Sequence, residues 1–551
     1  MTPRLAVLIA AGLLVHASNL RGAGPDDSHR AEPIELVLLG GERPLRVLVW
    51  AEIDGQPVSA IWDESLGRLF AYHDRDKNDV LDTGECARLP APFALRQVLW
   101  GQIQPLPGSF FDPSGRDRAP GRMELDGLTA LYHRAGLGNV LVGAGKPPAT
   151  ALLTDAVLKH LDRNGDHRVD EMEWRAAPVA LRSLDWNDDE LIGPGELVHG
   201  ASYPGAMGTT LLSAPRSDDP PAAEVDPWPV LVLPSSDGSP QWSVVLTQRL
   251  DRDGDGGLNA AEAAFRPTVF SALDSDKDDR LTPAELSAWR RENADAAWRV
   301  HLGKRRNGQA AVEAISAPSD RAERTSRVRW ELHAAEGQLA DSVTVARKYY
   351  QAWFTDADAN ADGVLEKTET TDRKQSRVNI ASVVAVADSD GDGRLNRCEL
   401  TAWLDLQEQV ARGHVLLTAL DHGPGLFELL DADRNGALSV RELRGAWDRL
   451  GAEGCLRDGA LDRGKLPRQW VFIVSRGHPL PGLARVDHGG PGWFRAMDRN
   501  GDGDLSPREF VGPRTEFQRL DGDGDGLISP SEAGTRQQSQ QKVSRDESSE
   551  H

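Results

Sequence analysis

Near its end the chain reads MDRNGDGDLSPREFVGPRTEFQRLDGDGDGLISPSE, from Met497 to Glu532, and this stretch contains one twelve-residue pattern twice. In the second copy, acidic residues stand at positions 1, 3, 5 and 12, as Asp521, Asp523, Asp525 and Glu532. Glycine occupies position 6, where a positive φ is needed for a sharp bend. Position 8 is aliphatic. The pattern predicts a short loop that turns several carboxylate oxygens toward one point.

Ten copies of this pattern occur in the chain, each with Glu at position 12 and Leu, Ile or Val at position 8. A single acidic turn can be a solvated surface loop, but ten turns in one register are not explained that way. That alternative stays open for the weaker loops taken singly. We number each loop by its first residue. The candidate ligands are, in loop order, Asp74, Asp76, Asn78, Asp82, Glu85, Asp162, Asn164, Asp166, Asp170, Glu173, Asp185, Asn187, Asp189, Glu196, Asp251, Asp253, Asp255, Asn259, Glu262, Asp274, Asp276, Asp278, Thr282, Glu285, Asp358, Asn360, Asp362, Glu366, Glu369, Asp388, Asp390, Asp392, Asn396, Glu399, Asp431, Asp433, Asn435, Ser439, Glu442, Asp498, Asn500, Asp502, Ser506, Glu509, Asp521, Asp523, Asp525, Ser529 and Glu532.

The pattern resembles the calcium loop of EF-hand proteins, in which a helix, a loop and a second helix form one hand. Calcium takes about six to eight oxygen ligands, so one loop must turn several side chains inward while its last Glu offers two oxygens. The chain is therefore identified as similar to secreted bacterial proteins with many EF-hands. The resemblance implies Ca²⁺ as the cofactor and hands that work in pairs.

Four loops depart from the glycine rule at position 6, where they carry Asp79, His167, Glu190 and Asp279. Asp tolerates a left-handed backbone better than most residues, whereas His and Glu make poorer bends. Loop 185 also has Gly193 at position 9, which offers no side-chain ligand and leaves that place to water. We therefore expect loop 185 to be one of the weakest sites.

Pairing of the hands is predicted from spacing along the chain. Loops 162 and 185, 251 and 274, and 498 and 521 each begin 23 residues apart. So short a connector must serve both hands, which predicts compact pairs and argues against the wide opening of calcium sensors. Two hands lack an intact neighbour. Their predicted partners are degenerate segments that pair structurally and bind nothing, Arg116–Gly127 with Met123 at position 8, and Gly459–Trp470.

The expected fold is mainly α with small β additions, made of tandem paired EF-hands in several domains. Alternating apolar residues before Asp54 and Gly55 predict a β-hairpin, and short strands are expected at Val230–Leu233 and Val471–Val474. The predicted segments are 1–17 signal peptide, 31–145 hairpin with a hand and degenerate partner, 150–212 hand pair, 213–241 Pro-rich linker, 242–297 hand pair, 298–343 β-rich insert, 344–405 hand pair, 414–480 hand and degenerate partner, 490–533 hand pair, and 534–551 disordered tail.

Composition and the N-terminus indicate where the protein acts. The 551 residues include 85 acidic and 63 basic ones, for a net charge of −22, which argues against nucleic acid or an anionic membrane as partner. An apolar run from Leu5 to Val15 followed by small residues predicts a secretory signal cleaved after Ala17 rather than a membrane anchor. Three cysteines make disulfides an improbable framework. We expect an exported protein with no membrane span after cleavage.

Calcium binding leads to three hypotheses of function. The first is a calcium-stabilised scaffold or calcium reservoir, since five methionines do not suit the Met-rich groove of a sensor. The second is calcium-dependent adhesion, which a sheet with an exposed aromatic patch would favour, through a protein or polysaccharide partner that the sequence does not identify. The third, an enzyme stabilised by calcium, is disfavoured because no catalytic motif is present and the histidines do not cluster. His133, His160, His414 and His488 are interpreted as ordinary surface or helix residues.

Overall fold

The structure is a computed structural model that describes residues 32–39, 43–99, 122–145, 149–201, 210–212, 229–233, 241–316, 328–366, 369, 380–477 and 489–534. The predicted signal peptide, nearly all of the predicted tail and most of the predicted linker lie outside these ranges. None of the helices among the described residues combines the length and the apolar character needed to cross a membrane.

The prediction of a mainly helical fold is wrong. The structure is 44% helical and 21% strand, and its strands form two large sheets together with several small ones. In chain order the strands are β1 Ile34–Leu38, β2 Leu45–Ile53, β3 Gln56–Pro57, β4 Leu81–Asp82, β5 Arg122–Met123, β6 Val140–Gly145, β7 Thr210–Leu212, β8 Val230–Leu233, β9 Leu258–Asn259, β10 Arg280–Leu281, β11 Ala296–Leu302, β12 Val312–Ser316, β13 Val328–Ala335, β14 Val364–Leu365, β15 Leu395–Asn396, β16 Val415–Gly423, β17 Leu456–Arg457, β18 Ala460–Leu461 and β19 Arg468–Ser475.

Segments far apart in the chain meet in both large sheets. The first sheet has the order β12-β11-β2-β1-β8, with β3 also paired to β2, and the second has the order β13-β19-β16-β6-β7. In the first sheet, β11 runs parallel to β2, and in the second, β13 runs parallel to β19 and β16 parallel to β6. The remaining neighbours are antiparallel. The strands predicted within 298–343 are present, but they are not a separate insert. β11 and β12 belong to the first sheet and β13 to the second.

The two large sheets pack face to face as a β-sandwich. One hydrophobic cluster combines Leu36, Val47 and Val300 of the first sheet with Leu417 and Phe472 of the second. Alternate residues of a strand point to opposite faces, so the other half of each central strand must be covered from outside. Because both faces are covered, β16 is buried along its whole length, and its sequence, VLLTALDHG, does not alternate between apolar and polar residues.

The hands cover the outer faces of the sandwich. Val37 and Leu231 of the first sheet pack in one cluster with Trp242, Phe270 and the rest of the pair formed by loops 251 and 274. On the other side, Leu141 and Leu416 of the second sheet join the hand of loop 74. The apolar side of each hand is thus buried against β-structure or another hand. We infer that hands and sandwich form one packed body over the described residues.

Most of the helices belong to hands that are inserted between sandwich strands. Loop 74 follows β3, loops 162 and 185 lie between β6 and β7, loops 251 and 274 between β8 and β11, and loops 358 and 388 between β13 and β16. Loop 431 lies between β16 and β19, and loops 498 and 521 follow β19. The helices are Val58–His73, Thr83–Cys86, Pro92–Leu99, Leu125–Arg134, Thr150–Leu161, Glu171–Arg175, Ala177–Leu181, Pro194–Leu197, Gln241–Leu250, Ala260–Ala263, Pro267–Leu273, Pro283–Leu286, Leu339–Ala357, Ile380–Ala387, Arg397–Arg412, Phe427–Leu430, Val440–Ala452, Gly492–Met497 and Arg514–Leu520.

Three local predictions are confirmed, and one of them is the strand expected at Val471–Val474, which lies within β19. The hairpin turn predicted at Asp54 and Gly55 joins β2 to β3, and both residues have positive φ, 52° and 80°. The short strand predicted at Val230–Leu233 is β8, although it is a member of the first large sheet rather than a feature of a linker. These elements depend on local sequence, which explains why they could be found without knowledge of the fold.

Partner choice among the hands is where the structure departs most from the predicted domains. The small β-bridges that join hands link loops 251 with 274, 358 with 388, and 498 with 521, as the sequence suggested. Loops 162 and 185, in contrast, are not bridged to each other. Ile192 of loop 185 is paired with Leu438 of loop 431, and Asp170 of loop 162 with Ala460. The two predicted pairs have exchanged partners.

Candidate metal sites

Each calcium-type loop is closed by the Glu at position 12. One of its carboxylate oxygens accepts a hydrogen bond from the backbone N–H of position 2, and the other accepts from position 9. In loop 521, for instance, Glu532 accepts from the N–H of Gly522 at 2.8 Å and from that of Ser529 at 2.8 Å. All ten loops share this arrangement. It holds the Glu side chain across the loop, where both oxygens can face a cation.

Local sequence explains why this geometry forms. In six of the loops the side chain at position 9 caps the outgoing helix and forms a capping box with the Glu three residues later, as Asp82 does with Glu85 and Asn396 with Glu399. At position 6 every loop takes a positive φ, including Asp79 at 61°, His167 at 61° and Glu190 at 67°. The loops without glycine therefore make the same bend, under strain that glycine would avoid.

Ligand atoms converge in the loops. In several loops three carboxylates offer oxygens that all lie within 4.8 Å of one another, namely Asp74, Asp76 and Glu85; Asp251, Asp253 and Asp255; Asp274, Asp276 and Asp278; Asp388, Asp390 and Glu399; and Asp431, Asp433 and Glu442. Oxygen donors at such separations suit a hard divalent cation. The other candidate ligands occupy the equivalent positions, 1, 3, 5, 9 and 12, of their loops.

Three position-1 aspartates carry a buried oxygen without a partner. In Asp358, Asp431 and Asp521, Oδ2 accepts from the glycine N–H of position 6 at 3.0 Å. The other oxygen, Oδ1, is buried and has no hydrogen-bond partner among the described residues. A buried carboxylate oxygen without a partner is costly, so it indicates a missing ligand. The residues fit a divalent cation at these places.

Burial differs strongly between loops. Burial, together with the nearby carboxylate of Glu442, raises the pKa of Asp431 to about 8, and burial raises the pKa of Asp502 to about 7. In the pair of loops 251 and 274 the shifts go in both directions, since burial raises the pKa of Asp253 and of Asp276. Although burial acts in the opposite direction, bonds from Thr282 and Ser275 lower the pKa of Glu285 to about 2. Crowded carboxylates in the buried loops thus favour protons when no metal is present.

Arginine side chains join neighbouring loops into clusters, which sequence reasoning missed. Arg441 at position 11 of loop 431 pairs with Asp504 of loop 498 at 2.6 Å. Arg508 at position 11 of loop 498 contacts Asp188 and lies 3.4 Å from Glu190, both of loop 185. The sequence shows Arg at position 11 in both of these loops. It does not show which carboxylates these arginines contact, because that depends on how the hand pairs pack together. The last hand pair is thereby attached to the exchanged hands.

A buried contact links loop 431 to the sandwich. Arg434 at position 4 of that loop forms two bonds with Glu331 of β13, and one with the backbone oxygen of Glu428. Burial alone would raise the pKa of Glu331, but hydrogen bonds from His333 and Arg434 hold it well below its usual range. Loop 431 is consequently fixed to the sheet independently of its metal ligands.

The degenerate partners are placed differently from each other. Met123 lies directly opposite Leu81 of loop 74, so it takes the predicted position 8, whereas Arg116 and the residues to 121 lie outside the described part of the chain. For the other partner, the predicted range Gly459–Trp470 is shifted. Leu461 donates to Val169 of loop 162 at 2.9 Å, which aligns Leu461 with position 8 and the partner segment with residues 454–465.

The histidines do not form a catalytic group among the described residues. His133 and His160 are on separate hand helices, and His488 lies outside the described ranges. His414 is fully buried, and burial lowers its pKa to about 4. Sequence reasoning missed His422, which is buried with one ring nitrogen 3.3 Å from a Glu428 oxygen. That contact lies in packed core beneath loop 431.

Comparison with known families supports the interpretation of the loops. The EF hand family model matches at residues 425–445, 492–511 and 514–532, which contain loops 431, 498 and 521. These matches support the EF-hand superfamily and imply binding of calcium or another divalent metal. No curated protein and no solved structure matches the chain.

Proposed function

We propose that this chain is an exported calcium-binding scaffold in which about ten EF-hand loops hold Ca²⁺ and thereby lock the hands around the sandwich. The observation that carries the proposal is the buried, unpartnered Oδ1 of Asp358, Asp431 and Asp521. Each of these atoms is at position 1 of a loop, where a bound cation would complete its coordination. Ten Ca²⁺ ions would also offset most of the net charge of −22.

A structural role is favoured over a sensor role. The apolar sides of the hands are buried in clusters shared with the sheets or with other hands. A sensor opens its hands to expose a groove, and here opening would uncover the outer face of the sandwich. Calcium binding would therefore stabilise the existing packing. A calcium reservoir is compatible with the same sites.

No specific observation favours the adhesion hypothesis. The strongly exposed large aromatic residues of the described chain are Trp186 in loop 185 and Tyr349 on a hand helix. Neither lies on a strand, so the described sheets present no exposed aromatic patch of the kind that adhesion would use. The proposal includes no catalytic step.

The N-terminal sequence supports export. Cys86 and Cys455 are buried, Cys398 is exposed, and none forms a disulfide. Calcium in an extracellular setting would provide the stabilisation that disulfides often give exported proteins. Mass spectrometry of the protein secreted by an expressing cell tests this directly. Cleavage after Ala17 is the expected result, and retention of an intact N-terminus inside the cell would contradict export.

Calorimetric calcium titration of the signal-free, chelator-stripped chain tests the main proposal. We expect about eight to ten ions with dissociation constants near the range of extracellular modules, roughly 10⁻⁴ to 10⁻³ M, together with a rise in helical circular dichroism. Glu532→Gln should remove one site because it neutralises a bidentate ligand. Glu516→Gln, on the adjoining helix and outside any loop, is the matched control. Binding of few ions by the wild-type chain would contradict the proposal.

A further inference from the structure

The partner of loop 162 is a segment that keeps acidic residues only at positions 5 and 9, as Asp458 and Asp462, and lacks them at positions 1, 3 and 12. With Leu461 at position 8, the segment runs from Gly454 at position 1 to Lys465 at position 12. Position 3 is Leu456. A lysine therefore stands where each of the ten calcium-type loops carries its closing Glu.

The Lys465 side chain crosses its segment as those glutamate side chains do, but it donates a hydrogen bond to the backbone where they accept hydrogen bonds from it. In the calcium-type loops, Glu accepts from the backbone N–H groups of positions 2 and 9, as Glu173 does in loop 162. In the partner segment, the ammonium nitrogen of Lys465 donates to the backbone oxygen of Leu456 at 3.2 Å. A positive side chain thus bonds to a loop carbonyl, which is the kind of oxygen that a calcium ion would coordinate.

The rest of the segment is closed by its own bonds. β17 and β18 form a tight hairpin whose turn residues, Asp458 and Gly459, have φ of 51° and 72°. Asp462 donates its backbone N–H to Cys455 at 2.9 Å, and the N–H of Lys465 bonds back to Asp462 at 2.9 Å. None of these contacts requires a metal ion.

We propose that the Lys465 ammonium is a built-in cation that keeps segment 454–465 in its paired conformation without calcium, and that this segment positions loop 162 for its ion. Segment 454–465 contacts loop 162 through Leu461. The N–H of Leu461 donates to the carbonyl of Val169, which is next to the ligand Asp170. Lys465 is therefore a positioning residue. The second half of the proposal rests on calcium binding by loop 162, as set out under the proposed function.

This arrangement distinguishes loop 162 from loops that pair with each other. Loops 251 and 274 are joined through Leu258 and Leu281, and each has to be ordered by its own ion. Loop 162 is held by a partner that is already ordered. It should bind its ion as an independent site, whereas loops 251 and 274 should bind theirs cooperatively.

Hydrogen exchange of the full signal-free chain, resolved by peptide and measured across a calcium titration, tests the inference. In chelator, segment 454–465 should keep the protection it has in calcium, while segments 251–262 and 274–285 gain protection only as calcium rises. Loss of protection in 454–465 upon chelation, to the same degree as in those loops, would overturn the inference.

The variant Lys465→Met removes the ammonium while keeping a long side chain. Protection of 454–465 in chelator should fall at least tenfold, and the calcium midpoint of segment 162–173 should rise several-fold with that of 251–262 unchanged. Lys465→Arg should restore both. Lys348→Met, at an exposed position on a helix, is the control for removing one lysine. Wild-type behaviour of Lys465→Met in both segments would overturn the inference.

A second variant keeps the test decisive if Lys465→Met unfolds the chain. Lys465→Gln retains an N–H donor for the Leu456 oxygen but carries no charge. A raised calcium midpoint of 162–173 supports the inference, and an unchanged midpoint overturns it. If loop 162 of the wild-type chain does not respond to calcium at all, the proposed function fails at that loop. Protection of 454–465 in chelator would still decide the role of Lys465.

Discussion

Loops 162 and 185 resemble loops 251 and 274 in sequence, yet their surroundings differ. Both sets begin 23 residues apart and both have Glu at position 12. Loops 251 and 274 are joined to each other by β9 and β10. Loop 162 instead pairs with segment 454–465, and loop 185 pairs with loop 431. All four segments share one hydrophobic cluster. Equal spacing therefore does not decide which hands pair.

The connectors offer a physical reason for the difference. After loop 251 the short helix ends at Ala264 in the left-handed conformation, with φ 51° and ψ 22°, and a new helix begins at Pro267. A left-handed residue reverses the direction of the chain sharply. After loop 162 the residue that ends the short helix, Ala176, is right-handed, with φ −83° and ψ −5°, and helical structure resumes at once. We infer that the missing reversal keeps loops 162 and 185 apart.

Calcium removal should have the largest effect and should separate the two regions. Each ion present at a hundredfold excess over its dissociation constant stabilises the fold by about 2.7 kcal/mol. Loop 431 should lose more protection than loop 251 because its position-1 ligand Asp431 is fully buried, whereas the equivalent Asp251 is only half-buried. Hydrogen exchange in chelator measures this. Equal loss in both regions would mean that burial of the ligands is unimportant.

Ile192→Ala should cost about 2–5 kcal/mol, because Ile192 is buried at the bridge to Leu438. The exchanged pairing predicts that amides of loop 431 lose protection while those of loop 162 keep it. Leu281→Ala is the matched control in the other region, and it should expose loop 251. Loss of protection in 162–173 upon Ile192→Ala would instead support the pairing of loops 162 and 185 that spacing predicts.

Calcium affinity should depend on pH more strongly in loop 431 than in loop 251. Burial raises the pKa of Asp431 to about 8, while a backbone bond from Gly256 lowers the pKa of Asp251. Below pH 8 calcium must displace a proton from Asp431, so the apparent affinity of loop 431 should fall by up to about tenfold per pH unit. Calcium midpoints from hydrogen exchange at pH 6.5 and 8 provide the measurement. Parallel behaviour of the two loops would contradict the assignment.

The same pKa shift has a consequence for the metal-free fold. Because the folded Asp431 holds its proton above the pH at which the unfolded chain releases it, the folded state binds more protons between about pH 4 and 8. Metal-free stability should therefore fall as the pH rises through that window. Denaturant titration of Asp431→Asn in chelator should show a smaller fall than the wild-type chain.

The smallest predicted effects test the connectors. Ala264→Gly should stabilise the fold by up to about 1 kcal/mol, since glycine takes a left-handed conformation without the penalty paid by alanine. Ala176→Gly should destabilise it by about 0.5–1 kcal/mol, because this residue is right-handed beside a helix. Denaturant unfolding in saturating calcium compares the two variants. The same sign at both positions would remove the connector explanation.

Much of each loop was predictable because its structure is local. The capping box of Asp82 and Glu85, the bend at Gly526 and the hairpin turn at Asp54 all join residues within a few positions of each other. The large sheets could not be predicted in the same way. β16 carries no alternation because it is covered on both faces, and β2 meets β11 only after some 240 intervening residues. The periodicity of the sequence shows neither the coverage of β16 on both faces nor the pairing of β2 with β11.

The sequence by itself determined which residues form each candidate calcium site, because the ligands, the bend and the closing Glu lie within twelve residues and are fixed by hydrogen bonds inside the loop. Only the tertiary structure decided which hands pair, which loops are buried, and that scattered strands join in a sandwich. These choices depend on burying apolar faces that belong to distant segments. The same chemistry at Asp431 and Asp251 therefore has different pKa values, since one carboxylate is enclosed by the fold and the other faces water.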